Sequence, residues 1–228
     1  MSFEAAVRLT EILMALCSLQ QSAEHLTGDA RERLIFAPRL VLSLLLFAGI
    51  AVPWILLGLL ALGLAALVRF QGPYNGGSDR MSLLMLCCLT ALSWAPTRHL
   101  SETIFAYFAF QLCMSYVISG WVKIRNPEWR RGDALADVFR FSAYPVSESL
   151  RGWAGRPGLL FVMGWGVMLF EVLFPLSLLH PATLPVALII AAGFHLCNAC
   201  LFGLNRFFWI WLAAYPSILW FQNRLIGV

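Results

Sequence analysis

Residues 104–123 read IFAYFAFQLCMSYVISGWVK and predict a helix that crosses a lipid bilayer. The run carries no charge before its last residue, and about 20 mainly apolar residues span the hydrocarbon core of a membrane. It ends on Lys123, the single lysine among 16 basic residues. Lysine, unlike arginine, loses its proton readily when it is taken out of water. Lys123 is therefore either a proton acceptor or an ammonium that reaches the lipid headgroups from a helix end.

The composition extends this reading to the whole chain of 228 residues. Hydrophobic residues make up 60% and charged residues 12%, which is too apolar for a globule of this length to bury. The chain is predicted to be an all-α, polytopic helix bundle whose main partner is the lipid bilayer. The net charge of +4 is small, and the arginines flank apolar segments, so nucleic acid is not an expected partner.

The apolar segments predict seven or eight transmembrane helices in a single domain over residues 1–228. The run from Leu34 to Phe70 is too long for one helix, and Val52-Pro53 near its middle predicts two helices joined by a turn. The first segment is more polar, because Glu4, Arg8 and Glu11 share one helical face. That face is either a local ion pair on an interfacial helix or a polar strip lining a cavity. The other predicted spans are 80–96, 101–124, 157–180, 183–203 and 205–222.

Basic residues cluster in segments 31–39, 69–80 and 123–156, which fall on one side of the membrane if the spans alternate. The positive-inside rule predicts that this side is cytoplasmic, with the chain in the plasma membrane, a bacterial inner membrane. Within the interfacial segment 125–156, the stretch from Gly132 to Phe141 predicts a short amphipathic helix at the bilayer surface. The same basic segment is a candidate docking surface for a membrane or peripheral protein partner.

Two ionisable residues lie near the middle of strongly apolar spans, Glu171 and His195. A charge at such a depth costs about 2.5 to 3.5 kcal/mol on translocon scales, so both residues need a reason to be there. Glu171 is either a carboxyl group that joins two helices or a partner of Lys123 or His195. His195 is either a satisfied core histidine or one end of a polar strip that includes Asn198, three residues further on.

Cysteine and histidine spacing gives weaker signals. Cys197 and Cys200 form a C-x-x-C pattern, but a mid-membrane position favours packing over redox exchange with a quinone. The remaining histidines are found at segment ends, so neither a zinc site nor a haem site is predicted.

Several short motifs resemble the HTTM family, the transmembrane module found in vitamin K-dependent γ-carboxylase and in many bacterial membrane proteins. The resemblance extends over a core of about residues 80–222. It rests on ISGWVK at 118–123, Trp129, Gly132, FHLCN at 194–198, LF at 201–202 and YP at 215–216. A looser similarity links the helix pattern to DoxX-like and MauE-like membrane proteins, which implies a quinone-linked or maturation role.

The HTTM resemblance implies specific roles for three residues. Lys123 would be the base that deprotonates a reduced quinone, His195 would assist the same site, and Glu171 stands where the family has an acidic residue. We therefore expect one cavity that contains Lys123, Glu171, His195 and Asn198, binds a quinol or quinone, and has Trp121 and Trp165 as its walls. The alternative is a non-catalytic membrane subunit, in which the same polar residues lock helices together and segment 123–156 holds a partner protein.

Overall fold

The computed structural model describes residues 1–69, 77–142 and 147–227, and the regular structure within these ranges is helical, without strands. The predicted all-α class is confirmed. Parts of the predicted basic segments 69–80 and 123–156 lie outside the described residues. The chain divides into two compact units, one made of Met1–Ala109 and Trp209–Arg224 and the other of Phe110–Phe208 and Leu225–Val228. A single domain over the whole chain stays a prediction.

The first unit is built from the N-terminal helices and from parts of two later ones. Ser2 and Asp29 cap the first two helices by accepting hydrogen bonds from the backbone N–H groups of Ala5 and Glu32. The helices are α1 (Phe3–His25), α2 (Ala30–Ala48), α3 (Val52–Arg69), α4 (Gly77–Ser93), the start of α5 (Arg98–Arg125) and most of α10 (Asn205–Ile226).

The predicted pair of helices joined by a turn is confirmed, with the turn at residues 49–51 and Val52-Pro53 at the start of α3. Helix α2 ends at Ala48, and Gly49 follows in the left-handed conformation with φ of 76°. Arg8 of α1 donates to the carbonyl oxygens of Leu46 (3.0 Å) and Phe47 (2.6 Å), which lie in the last turn of α2, and pairs with Glu11 at 2.9 Å. The charged face of α1 therefore contains a local ion pair that also closes the end of α2.

The second unit contains the rest of α5 and the helices that follow it. Asn126 separates α5 from α6 and caps α6 by accepting from Glu128 N–H at 2.9 Å, so the predicted helix end at Asn126-Pro127 is confirmed. The following elements are α6 (Pro127–Arg131), α7 (Asp133–Phe141), a 3₁₀ helix (Glu148–Gly155), α8 (Pro157–Leu173), a second 3₁₀ helix (Phe174–Leu179) and α9 (Thr183–Phe202).

Helix α7 matches the short amphipathic helix predicted for Gly132 to Phe141. Phe139 is buried, whereas Phe141 is 75% exposed. The buried side packs in a small apolar core with residues of the neighbouring elements, Ala154, Leu160 and Phe202. One apolar side of α7 is thus held by protein; its location at a bilayer surface stays a prediction.

Three helical segments among the described residues are long and apolar enough to cross a membrane: Arg98–Arg125, Pro157–Leu179 and Thr183–Phe202. These correspond to α5, to α8 with its 3₁₀ extension, and to α9. The chain is therefore an all-helical protein with membrane-spanning helices, and the six predicted site residues, Trp121, Lys123, Trp165, Glu171, His195 and Asn198, lie on these three segments.

Candidate functional site

One face of α5 carries three polar residues, Tyr116, Ser119 and Lys123. Ser119 and Gly120 lie three and four residues after Tyr116, and Lys123 lies four and three residues after them, which places all four on the same side of a helix. Seven residues separate Tyr116 from Lys123, a distance of about 10 Å along the axis at a rise of about 1.5 Å per residue. The face therefore presents two polar positions at different depths.

Gly120 brings α5 and α8 into close contact. A Cβ atom at this position would stand 2.8 Å from Val172 Cγ2, 2.9 Å from Glu171 Cβ and 3.0 Å from the backbone oxygen of Met168. Small residues allow helix backbones to approach closely in membranes. Because the two helices are this close, the carboxylate of Glu171 lies within hydrogen-bond distance of the Lys123 amine.

Lys123 and Glu171 form an ion pair between α5 and α8. The Lys123 Nζ atom lies 2.6 Å from Glu171 Oε1 and 2.6 Å from Oε2, and it donates to Ser119 Oγ at 2.8 Å. Ser119 in turn donates to Glu171 Oε1 at 3.1 Å. The Lys123 side chain is 17% exposed and that of Glu171 is 4% exposed. The three N–H groups of the ammonium thus have three oxygen acceptors supplied by the protein.

Helix α6 lies beside this pair. Lys123 Nζ is 5.5 Å from the centre of the Trp129 ring, a cation–π distance. Trp165 of α8 donates its indole N–H to the backbone oxygen of Arg130 at 3.1 Å, which ties α6 to α8. Trp165 therefore helps to hold the helix that carries Trp129 against the ion pair.

His195 forms a second polar contact on the α5 face. The hydroxyl group of Tyr116 and Nε2 of His195 are 2.8 Å apart, across 79 residues of sequence, and both side chains are buried. The structure therefore brings Lys123 and Glu171 into direct contact and joins His195 to Tyr116.

Aromatic rings surround the Tyr116–His195 contact. The Tyr116 ring lies 4.3 Å from that of Phe174 and 6.1 Å from that of Phe170, measured between centroids. The imidazole is 5.0 Å from the Phe194 ring and 5.6 Å from the Phe207 ring. This shell fixes the planes of both rings by packing.

The remaining predicted site residues are Trp121 and Asn198. Trp121 is 54% exposed, and the Arg125 guanidinium carbon lies 6.0 Å from the centre of its ring. Asn198 is half-buried and its backbone oxygen accepts from Leu204 N–H at 3.3 Å at the end of α9. Its side chain has no hydrogen bond to Lys123, Glu171 or His195 in the described structure.

Tyr116 was not selected from the sequence, because a tyrosine within an apolar run is most simply an aromatic packing residue. Its position seven residues before Lys123 was the available signal. Cys197 and Cys200 are both exposed on α9. No cluster of three or more histidine, cysteine, aspartate or glutamate side chains suited to a metal is found in residues 1–69, 77–142 and 147–227.

The arrangement on α5 and α8 is suited to moving a proton. An amine and a carboxylate in direct contact exchange a proton over a short distance, and each changes its charge when it does so. Ser119 contacts both groups and has a hydroxyl proton of its own.

Comparisons with known proteins identify the family. No curated protein and no solved structure matches the chain. A family model described as the HTTM domain matches residues 89–223, which is more than half of the chain and includes Lys123, Glu171 and His195. The resemblance noted from the sequence is thereby confirmed. With its apolar helices and its polar face on α5, this chain is an all-helical membrane protein that belongs to the HTTM family.

Proposed function

We propose that the chain is a membrane enzyme that oxidises a lipid-soluble hydroquinone, with Lys123 and Glu171 as its proton-accepting pair. The observation that carries the proposal is the contact of Lys123 Nζ with both carboxylate oxygens of Glu171 at 2.6 Å. A hydroquinone has a flat apolar ring and an acidic hydroxyl group, so it partitions into a bilayer and donates a proton there. The HTTM family membership supports a carboxylase-type membrane module of this kind.

The first step is a proton transfer within the pair. Transfer of one ammonium proton to Glu171 produces a neutral amine and a neutral carboxylic acid, a state that costs little hydration in an apolar site. The neutral amine then takes the proton of the bound hydroxyl group. Ser119, which contacts both groups, keeps the amine oriented during the transfer. Lys123 is thus the base, and Glu171 stores the proton that the amine must first lose.

The hydroquinone anion then reacts with dioxygen. In epoxidation, one oxygen atom enters the ring as the epoxide, and the second leaves as water with the two hydroxyl hydrogens of the hydroquinone. In this proposal His195 is the hydrogen-bond partner of the ring, and Trp121, Trp165 and Asn198 are further contacts. Modification of a peptide or protein would use the strong base formed during this reaction.

The test is hydroquinone turnover by the purified protein in air. The probe is a reduced 1,4-naphthoquinone. Oxygen uptake is measured directly, and the oxidised product is identified by mass spectrometry. A reaction without protein is the blank. Lys123→Arg keeps the charge but removes the base, so we expect turnover to fall about 10²- to 10⁴-fold. Arg125→Lys, an exposed exchange two residues away, is the matched control and should keep full activity. Equal turnover by Lys123→Arg and the natural protein would disprove the base assignment.

A second candidate function is a non-catalytic subunit of a membrane complex. It is favoured by the same contacts, because all three N–H groups of Lys123 have acceptors within the protein and the pair then serves to lock α5 to α8. The basic segment 123–156 would bind the partner protein. Purification in a mild detergent would then give a stoichiometric companion that Arg130→Glu with Arg131→Glu releases and that Arg33→Glu, in another basic segment, retains.

For the arrangement in the membrane, we propose seven or eight transmembrane helices with α7 lying at the bilayer surface. The short connections between successive helices support a series of crossings. The concentration of arginine in segment 123–156 supports a cytoplasmic location for it, in a bacterial inner membrane.

A further inference from the structure

We infer that Tyr116 is a positioning residue that holds His195 in a single tautomer and orientation, about two helical turns along α5 from Lys123. This inference rests on the proposed function for its catalytic consequence. The hydrogen bond itself stands on geometry alone. Neither the sequence motifs nor the family match assigns a role to Tyr116.

The contact leaves little freedom to either ring. Tyr116 is 3% exposed and His195 is 1% exposed, and their polar atoms are 2.8 Å apart. A phenol hydroxyl is a good donor, and the unprotonated nitrogen of a neutral imidazole is a good acceptor. We assign the donor role to Tyr116 O–H and the acceptor role to Nε2, which places the imidazole proton on Nδ1.

The aromatic shell keeps this bond in place. Phe174 and Phe170 pack on the phenol ring, and Phe194 and Phe207 pack on the imidazole. Since the rings are held by packing, replacing Tyr116 with phenylalanine removes the hydroxyl group and keeps the shape. The phenylalanine then no longer selects one tautomer of His195, whereas the packing of the rings is unchanged.

The position of Tyr116 links this bond to the ion pair. Tyr116 and Lys123 share one face of α5, so the Tyr116–His195 contact lies about two helical turns along that face from the ion pair. A histidine that assists a substrate at Lys123 must present the correct nitrogen, because donor and acceptor exchange places between the two tautomers. By its bond to Nε2, Tyr116 determines whether Nδ1 carries the imidazole proton.

The experiment compares Tyr116→Phe with Tyr107→Phe, an exposed tyrosine on the same helix. Nitrogen NMR of the protein labelled with ¹⁵N-histidine reports the tautomer directly. The protein has four histidines, and the His195 signals are those lost in His195→Asn. We expect a single Nδ1–H tautomer in the natural protein and in Tyr107→Phe, and a mixture or the other tautomer in Tyr116→Phe.

Hydroquinone turnover is the second measurement. We expect kcat to fall about 10-fold in Tyr116→Phe, as for the loss of one buried hydrogen bond, with KM unchanged. An unchanged tautomer in Tyr116→Phe would overturn the inference, whatever the activity. A changed tautomer in a protein that shows no hydroquinone turnover with any variant would instead support the role of Tyr116 in positioning His195 and reject the proposed function.

Discussion

At the scale of single residues, the decisive feature is a buried charge pair that depends on both partners. The attraction between Lys123 and Glu171 offsets the hydration that each loses on burial, and removal of one partner leaves an uncompensated charge. Surface pairs behave differently. Glu148 is 77% exposed and pairs with Arg151, whose hydrogen bond holds the pKa of Glu148 below its ordinary value, yet water screens much of that interaction.

We expect Glu171→Gln to lower the free energy of unfolding by about 3 to 5 kcal/mol, because it leaves the Lys123 ammonium without its counter-charge. The measurement is thermal or denaturant unfolding of the detergent-purified protein. The double variant Lys123→Met with Glu171→Met should regain most of this loss, since it removes both charges and fills similar volume. Glu148→Gln, the surface control, should change stability little. A double variant as unstable as Glu171→Gln would contradict the account.

At the scale of helices, the ion pair depends on how closely α5 and α8 approach. The three atoms within 3.0 Å of a Cβ on Gly120 include a backbone oxygen of α8, which cannot rotate away as a side chain does. At Gly166, on α8 itself, an added Cβ would have no atom within 4 Å apart from its chain neighbours and its own helix backbone. The two glycines therefore allow a comparison of packing with intrinsic helix propensity.

Gly120→Ala should destabilise the protein, although alanine is by about 1 kcal/mol the better helix former, because α5 and α8 must separate to accommodate it. Gly166→Ala should be neutral or stabilising. Unfolding measurements on both variants test this, with hydroquinone turnover as a second measurement in which only Gly120→Ala is expected to fall. Equal stability of the two variants would show that Gly120 is not the closest point of contact.

The end of α2 gives a second prediction at this scale. Arg8→Leu removes the donor of two backbone carbonyls and the partner of Glu11, which is itself buried. We expect a loss of about 1 to 3 kcal/mol in the free energy of unfolding, because the buried carboxylate of Glu11 is left without its partner. Arg31→Leu, an exposed arginine near the start of α2, is the control. A loss no larger than that of the control would reject the closing role of Arg8.

At the scale of the whole molecule, the segment Pro157–Leu179 separates two exposed positions. Ser149 precedes it within the 3₁₀ helix Glu148–Gly155, and Ala182 follows it before α9. If the segment crosses the membrane once, these positions face opposite sides. The positive-inside rule then predicts Ser149 in the cytoplasm and Ala182 on the other side.

Labelling of single cysteines in intact cells tests this orientation. In a background lacking the six natural cysteines, Ala182→Cys should react with a membrane-impermeant maleimide and Ser149→Cys should not. After the cells are opened, both should react. Labelling of Ser149→Cys in intact cells would reverse the proposed orientation, and labelling of both would reject a single crossing of Pro157–Leu179.

The sequence by itself determined the membrane class and the helix boundaries next to Val52-Pro53 and Asn126-Pro127. It also identified Lys123, Glu171 and His195 as the ionisable residues in or at the end of apolar spans. These features depend only on residues that are close together in the sequence: the length of an apolar run, the position of a proline, and a charged residue within an apolar span. Only the tertiary structure decided the pairing. Which oxygens reach Lys123, and that Tyr116 meets His195 across 79 residues, depend on the approach of α5 to α8 and α9, which helical spacing alone does not fix.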